Sequence, residues 1–307
     1  MRVAYFVQSH RDPAQVARLL GTLRRGSPEA HLMVGHDRRH STLSPADLPP
    51  GVDLFFPPPP IERGELSLLS PYFLALERLA EQRIDFDWLV YLSGQDYPTQ
   101  PLARSEAFLA AAEVDGFLVH WEAFAPVTPW GRRRQGRVRY AFQYRKLAPR
   151  WTRWVRWLRP LNRVQTFVHL HTTYGPRLGV RARTTPFGPQ RICYAGFQWT
   201  TLRRSAVDFL RASLRSERAL LDYYARCICP DESLVQTLLI NRPELRFANQ
   251  SLRFVDVAGS RDGRPRTLGR ADLPALADPR VHFARKLDAA AEPELLARLD
   301  ERLAAAP

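Results

Sequence analysis

Cysteine is scarce in this chain. Only Cys193, Cys227 and Cys229 occur among 307 residues, too few for a disulfide framework. Cys227 and Cys229 are spaced C-x-C, and no second Cys or His pair stands at zinc spacing, so free thiols are expected rather than a structural metal site. No apolar run reaches the ~18 residues of a membrane-spanning helix. The opening MRVAYFVQSH holds an apolar run of strand length only. It lacks the longer hydrophobic region and small-residue cleavage site of a secretory signal, so a soluble chain that stays in the cytoplasm is expected. G-x-G-x-x-G, the P-loop and G-x-S-x-G are all missing, which argues against dinucleotide, P-loop and nucleophile-elbow chemistry. No internal repeat is found.

What is abundant is arginine. The formal net charge is +14, a field that attracts anions in general: nucleic acid, an acidic membrane face or a phosphorylated substrate. Most of the excess sits in GRRRQGRVRYAFQYRKLAPRWTRWVRWLRP (131–160), which has no acidic residue. It reads as a loop entering a basic, Trp-rich helix, RWTRWVRWLRPL (150–161). That helix is either a lid, a membrane-surface element or an anionic docking face, or else a solvated helix whose Trp151, Trp154 and Trp157 pack on the body.

Elsewhere strands alternate with helices. VAYFVQ (3–8), HLMVG (31–35), VDLFF (52–56), WLVYL (88–92) and GFLVHWEAF (116–124) read as strands. DPAQVARLLGTL reads as a helix capped by Asp12 with Pro13 first and Val16, Leu19, Leu20 and Leu23 on one face. SLLSPYFLALERLAEQ, RSEAFLAAAEV, the residues after YAGFQWTTL, PDES and the chain end read as further helices. The pattern implies an α/β fold with a mostly parallel central sheet flanked by helices. Ligands of such sheets bind beyond the carboxyl ends of the strands. That edge would gather SHRD after the first strand, GHDRR after the second and SGQDYP after WLVYL. With 45% hydrophobic residues the chain can bury a large core. It reads as one domain, 1–307, with a nucleotide-binding half (1–125), a basic insert (126–190) and an acceptor and catalytic half (191–307).

Five segments in order, DWLVYLSGQDYPTQ (87–100), GFQWTTL (196–202), PDESLVQTLL (230–239), LRFVDV (252–257) and FARKLD (283–288), resemble the core-2/I-branching N-acetylglucosaminyltransferase and peptide O-xylosyltransferase family of inverting glycosyltransferases. SLLSPYFLALERL and AYFVQSH fit more loosely. The resemblance implies a GT-A-type, Rossmann-like fold, a UDP-sugar donor, inversion at the anomeric carbon and no required metal or other cofactor. The chain lacks the anchor, stem and many cysteines of animal members, which fits a cytoplasmic enzyme. Residues 131–178 depart from the family pattern, and the family's acceptor contacts lie partly there.

Inverting transfer needs a carboxylate to take the acceptor's proton and a counter-charge for the departing diphosphate. Glu232 matches the family's base in PDE. Without the family, Asp231 and Glu232 are equally well read as first-turn acids that favour a helix dipole, and Asp231 is expected to cap or orient. Lys286 of FARK matches the family's diphosphate-binding lysine, with Arg285 beside it. Of RPRTL, Arg266 is the better match and Arg264 the next. Lys offers phosphate a point charge and Arg a bidentate fork. Candidate nucleotide contacts are Ser9, His10, His36, Asp37, Ser93 and Asp96; Ser9, His10, His36 and Asp37 are otherwise ordinary loop polarity, and Asp96, which can face nucleotide or sugar, is otherwise a turn-former before Tyr97-Pro98. Gln198, Trp199 and Asp231 are candidates for the acceptor or the donor sugar, Trp199 either stacking on it or filling the core. Asp85 and Asp87 form a D-x-D that precedes its strand, at the edge away from the predicted ligand, so no metal site is expected.

The function expected is transfer of N-acetylglucosamine or xylose from a UDP-sugar to a glycan or lipid-linked acceptor. The basic segment would make peripheral contact with the inner face of the membrane. The alternative is a basic protein that binds nucleic acid or an anionic membrane without catalysis. Because the excess charge lies outside the catalytic motifs, nucleic acid is not the expected partner.

Overall fold

The structure is a computed structural model that describes residues 1–130, 135–258 and 264–304. The first four strands are β1 (Val3–Ser9), β2 (His31–His36), β3 (Val52–Phe55) and β4 (Trp88–Ser93). They pair in parallel and form most of a seven-stranded sheet, in the order Phe247–Ala248, Gly116–Phe117, Thr201–Arg203, β4, β1, β2, β3. Thr201–Arg203 runs antiparallel to both its neighbours. The α/β, mostly parallel architecture expected from the sequence is therefore the one found.

Burial on both faces explains the strand sequences, since a covered parallel sheet needs apolar side chains on each side. Along β1, Tyr5 and Val7 join one core while Ala4 and Phe6 join the other. The first core is sealed by helix α1 (Pro13–Gly26), through Val16, Leu19, Leu20 and Leu23, and by the C-terminal helix Pro293–Ala304. The second is sealed by α2 (Ser70–Glu81) and by Arg204–Ser216, with Tyr72 stacked on Tyr91 of β4 at 4.2 Å.

Several expectations change in detail. Asp12 precedes α1 as predicted, but its backbone is left-handed (φ 51°) and its side chain caps nothing. GFLVHWEAF is not one strand. Gly116–Phe117 stays in the central sheet, whereas His120–Glu122 turns away to pair with Tyr194–Gly196. The Trp-rich helix is shorter than predicted, Thr152–Leu158, and runs into a 3-10 segment, Arg159–Arg163.

The basic insert has its own small framework. A helix, Gln135–Tyr140, leads into an antiparallel sheet in the order Phe142–Lys146, Arg177–Arg181, Val168–His171. The start of the basic run, GRRR (131–134), lies outside the described residues. Another small sheet, Arg253–Val255, Phe283–Arg285 and Tyr97–Pro98, carries the FARK segment to the edge where β1 and β4 end.

Candidate active site

A cleft of about 1640 Å³ opens over the carboxyl ends of the parallel strands. Ser9, the last residue of β1, and His10 reach it, as do Asp37 after β2, and Ser93, which ends β4, with Gly94. Gly94 is required by packing. A Cβ there would lie 2.9 Å from Val16 Cγ2 of α1 and 3.1 Å from Ser9 Cβ, so glycine lets this turn lie against α1 and the end of β1 without displacing either side chain. Gly196 answers the same need on the other side, because a Cβ would stand 1.8 Å from the carbonyl oxygen of Val119. That approach sets the next residues, Phe197, Gln198 and Trp199, into the cleft wall.

The PDE carboxylates do not sit in the first turn of an α-helix. Pro230–Glu232 is a single 3-10 turn entered through Cys229 in the left-handed region (φ 51°), and the helix Leu234–Ile240 begins only after Ser233. Hydrogen bonds on both sides fix this turn. Tyr140 Oη donates to the Cys229 carbonyl at 2.9 Å, the Glu232 amide donates to the same carbonyl at 3.2 Å, and Ser233 Oγ donates to the Tyr194 carbonyl at 2.6 Å. The helix-dipole explanation for the two acids therefore does not hold here, and the turn projects both toward the cleft.

The two carboxylates differ sharply. Glu232 is ion-paired through Oε2 with Arg139, whose guanidinium also stacks on Trp130 at 4.2 Å. Burial works against the Arg139 charge, but Glu232 beside it carries the guanidinium well above its ordinary pKa. Asp231 is buried, its Oδ1 has no hydrogen-bond partner among the described residues, and burial reinforced by the neighbouring Glu232 pushes its pKa up to about 7.

Across the cleft stand the cations. Arg285 lies over the Trp199 ring at 4.3 Å, with Nε 3.8 Å from Asp96 Oδ1. Arg285 Nε and Nη1 and Asp96 Oδ1 are all buried without a hydrogen-bond partner among the described residues. Asp96 itself does not line the cleft. Its Oδ2 accepts from the Ser93 amide at 2.6 Å and closes the SGQD turn, so the turn-forming role is realised and Oδ1 is left over. Lys286 lines the cleft, and burial, with Arg11 nearby, lowers its pKa. Arg266 does not line the cleft. It is held by Asp256 at 2.5 Å and Asp272 at 2.5 Å, and the other arginine of RPRTL, Arg264, faces the cleft instead.

The nucleotide candidates also have protein partners. Ser9 Oγ meets His36 Nδ1 at 2.8 Å, which commits His36 to joining the β1 and β2 loops. Burial would raise the Asp37 carboxyl, but Arg39 Nη2 donates to it at 2.8 Å and holds it below its usual range. Burial, and then Arg11, lower the His10 pKa. Gln198 Nε2 donates to Tyr91 Oη at 2.6 Å, and Tyr91 in turn donates to Gln8. Trp199 fulfils both readings at once, packing edge-on to Tyr91 at 5.0 Å while lining the cleft.

Asp85 and Asp87 lie before β4, at the opposite edge. Asp85 pairs with Arg2 at 2.7 Å and Arg204 at 3.0 Å, and Asp87 accepts from the Arg2 amide at 2.7 Å. Among the described residues no group of three or more His, Cys, Asp or Glu is placed to hold a metal ion.

Sequence reasoning missed Arg139, Trp130 and the insert histidines His169 and His171, all of which line the cleft, as does Arg39 of the GHDRR loop expected at this edge. Burial, reinforced by His169 and nearby arginines, lowers the His171 pKa to about 3. Only the richness of the insert in arginine and aromatics hinted at this wall.

The PDE turn and the FARK cations thus share one cleft at the predicted edge of the sheet. The family model described as Core-2/I-Branching enzyme matches residues 50–276, more than half the chain. This chain belongs to the Core-2/I-branching enzyme family. Membership makes it a glycosyltransferase, acting on a sugar donor and an acceptor, with the GT-A-type sheet described above. Among solved structures, an active-site mutant of LgtC is 11% identical with a TM-score of 0.43, covering 100% of this chain and 98% of that one. The galactosyltransferase LgtC in complex with donor and acceptor sugar analogs is 10% identical with a TM-score of 0.40 and the same coverage. Mannose-1-phosphate geranyltransferase from Thermus thermophilus is 14% identical with a TM-score of 0.36, covering 80% of this chain and 73% of that one. No curated protein matches.

Proposed function

We propose that this Core-2/I-branching enzyme transfers a sugar from a UDP-sugar to an acceptor hydroxyl with inversion and without a divalent metal. N-acetylglucosamine is the first donor sugar to consider and xylose the second. The observation that carries the reading is the common cleft that Glu232 shares with Lys286, Arg285 and Arg264.

In this scheme the acceptor oxygen bonds to the anomeric carbon as the bond from that carbon to the β-phosphate oxygen breaks on the opposite face. The acceptor's proton passes to Glu232, and UDP departs with the bonding pair. Arg139 engages Oε2 of Glu232, which orients the carboxylate and leaves Oε1 for the acceptor hydroxyl. Charge gathers on the leaving diphosphate, where fixed cations stabilise the transition state more than the ground state. Lys286 supplies a point charge. Arg285, pressed between Trp199 and Asp96, supplies two buried donors that lack a hydrogen-bond partner among the described residues. Arg264 approaches from the RPRTL loop, which Arg266 braces from behind through Asp256 and Asp272.

Ser9, His10, Asp37 and Ser93 form the nucleotide end, and Gln198 and Trp199 face the donor sugar. Asp231, whose Oδ1 has no partner among the described residues, lines the same cleft and completes the acceptor and sugar contacts. The carboxylates of Asp85 and Asp87 are engaged at the far edge by Arg2 and Arg204, and Asp96 at the near edge is turned toward Arg285. That distribution favours a cationic rather than a metal counter-charge.

A thermal-shift screen tests the reading, since a ligand that binds the folded state raises Tm with its concentration and affinity. UDP, UDP-N-acetylglucosamine and UDP-xylose should stabilise the chain equally well in EDTA. Stabilisation by no uridine nucleotide, or only with added magnesium or manganese, would refute it.

A further inference from the structure

The insert carries a surface that sugar transfer itself does not explain. Helix Thr152–Leu158 packs on the insert's own strand Val168–His171; Val155 is only 4% exposed, while Trp154 and Trp157 are 58% and 71% exposed. The two indoles meet edge to face at 6.1 Å, and Trp151 stands beside them at the start of the helix. The apolar display continues through Leu161 and Val164 to Phe167, which is 71% exposed. A water-facing surface of this size and aromatic content is unusual for a chain with no partner on that face. Arg150, Arg153 and Arg156 alternate with the tryptophans and are likewise exposed. No acidic residue occurs between Glu122 and Asp208. The insert therefore has nothing of its own to neutralise these guanidinium groups.

Indoles beside cations fit one environment well. At a lipid–water boundary the ring sits at headgroup level and the cation reaches anionic phosphates. Single-stranded nucleic acid also takes aromatics and arginine, but it needs a groove in which bases stack. These rings sit on a convex helix with Val155 beneath it, not in a groove.

The position of this face matters to the reaction. The 3-10 segment Arg159–Arg163 continues directly from the Trp helix, and its Arg159, Asn162 and Arg163 line the cleft. We propose that the Trp–Arg face of the insert docks on an anionic bilayer and so presents the cleft to an acceptor carried by a lipid. The docking rests on the surface alone. The lipid-borne acceptor rests on the sugar-transfer reading above.

The test is co-sedimentation of the full chain with vesicles of phosphatidylcholine, with and without phosphatidylglycerol. Binding should require the anionic lipid and weaken as salt is raised. Trp154→Ser with Trp157→Ser should lower partitioning by about tenfold or more, and Arg150→Glu with Arg153→Glu and Arg156→Glu should abolish it. Both variants should keep wild-type Tm and wild-type stabilisation by UDP. No vesicle binding by the wild type, or undiminished binding by both variants, would overturn the docking surface, as would steeply salt-dependent binding to single-stranded RNA without vesicle binding. A chain that binds vesicles but shows no uridine-nucleotide stabilisation would retain the docking surface and overturn the lipid-borne acceptor.

Discussion

The two walls of the cleft are built on opposite plans. The wall formed by the ends of β1, β2 and β4 is packed and internally bonded. Ser9 is 4% exposed and Asp96 not at all, glycine is forced at position 94, and Arg39 bridges Asp37 to Glu62. The insert wall is thin. Its three-stranded sheet buries Tyr144, and its helix packs on the strand Val168–His171 of that sheet while three tryptophans face solvent. A wall that must recognise one fixed leaving group gains from preorganisation, because dipoles already in place cost no reorganisation during reaction. A wall that meets the acceptor can vary without disturbing that machinery. Glu232 and Arg139 join the two across the cleft, one from the PDE motif and the other from the insert.

The comparison is broken most severely at that junction. Glu232→Gln should lower turnover by about 10²–10⁴-fold, the range for losing a general base. UDP should bind as before, because the diphosphate cations are untouched. Single-turnover kinetics alongside UDP titration read both quantities, and wild-type turnover in the mutant would remove Glu232 from the reaction. Lys286→Ala comes next, with a loss of about 10²-fold in turnover, the low end for removing one fixed donor from a transition state. Unlike Glu232→Gln it should also weaken UDP. A loss confined to turnover would place Lys286 away from the diphosphate.

Asp231 sharpens the comparison through pH. An unfolded aspartate titrates near 3.8, whereas burial raises this one to about 7 in the folded chain. Between those values the unfolded state binds fewer protons than the folded state, so stability falls as pH rises. The contribution is fully present below about pH 4 and lost by about pH 7. Buried histidines act in the opposite sense, His171 with a pKa of about 3 and His282 of about 4, so the informative quantity is the difference between variants. Asp231→Asn should raise Tm relative to wild type at pH 8 by a few degrees, at ~2–4 °C per kcal/mol for a chain of this size class. That advantage should vanish at pH 4. An equal shift at both pH values would mean that packing, and not proton binding, separates the two chains.

Legibility in the sequence follows the same division. The strands β1, β2 and β4 are readable because both strand faces are buried, which leaves apolar runs punctuated by polar loops, and Ser9, His10, Asp37 and Ser93 at their ends all reach the cleft. FARK is readable only through its resemblance, since Lys286 and Arg285 look like any surface charge in an arginine-rich chain. GFLVHWEAF looks continuous because its apolar pattern is unbroken, and the break comes where Gly196 packs against the Val119 carbonyl, a contact between distant segments. The acids of PDE look like helix-start residues because Pro230 suits a first helical position. The left-handed Cys229 and the Ser233 interruption have no local signature. Arg139 is invisible for a related reason: its partner lies 93 positions away.

The smallest expected effect separates two arginines that the sequence could barely rank. Arg266 and Arg264 stand two positions apart in RPRTL, and a regular strand would send both side chains to one side. The segment forms no regular strand, and the two part company. The Arg266 guanidinium is bound by Asp256 and Asp272, while Arg264 faces the cleft. Arg264→Ala should therefore weaken UDP binding and turnover together. Arg266→Ala should leave UDP affinity unchanged and lower Tm, because Asp256 and the buried Asp272 lose a shared partner that is itself about half-exposed. Isothermal titration with UDP and a melting curve on each variant make the distinction. If Arg266→Ala proves the more damaging to UDP binding, the loop must rearrange when the donor arrives, and the packed wall would be less preorganised than its hydrogen bonds imply.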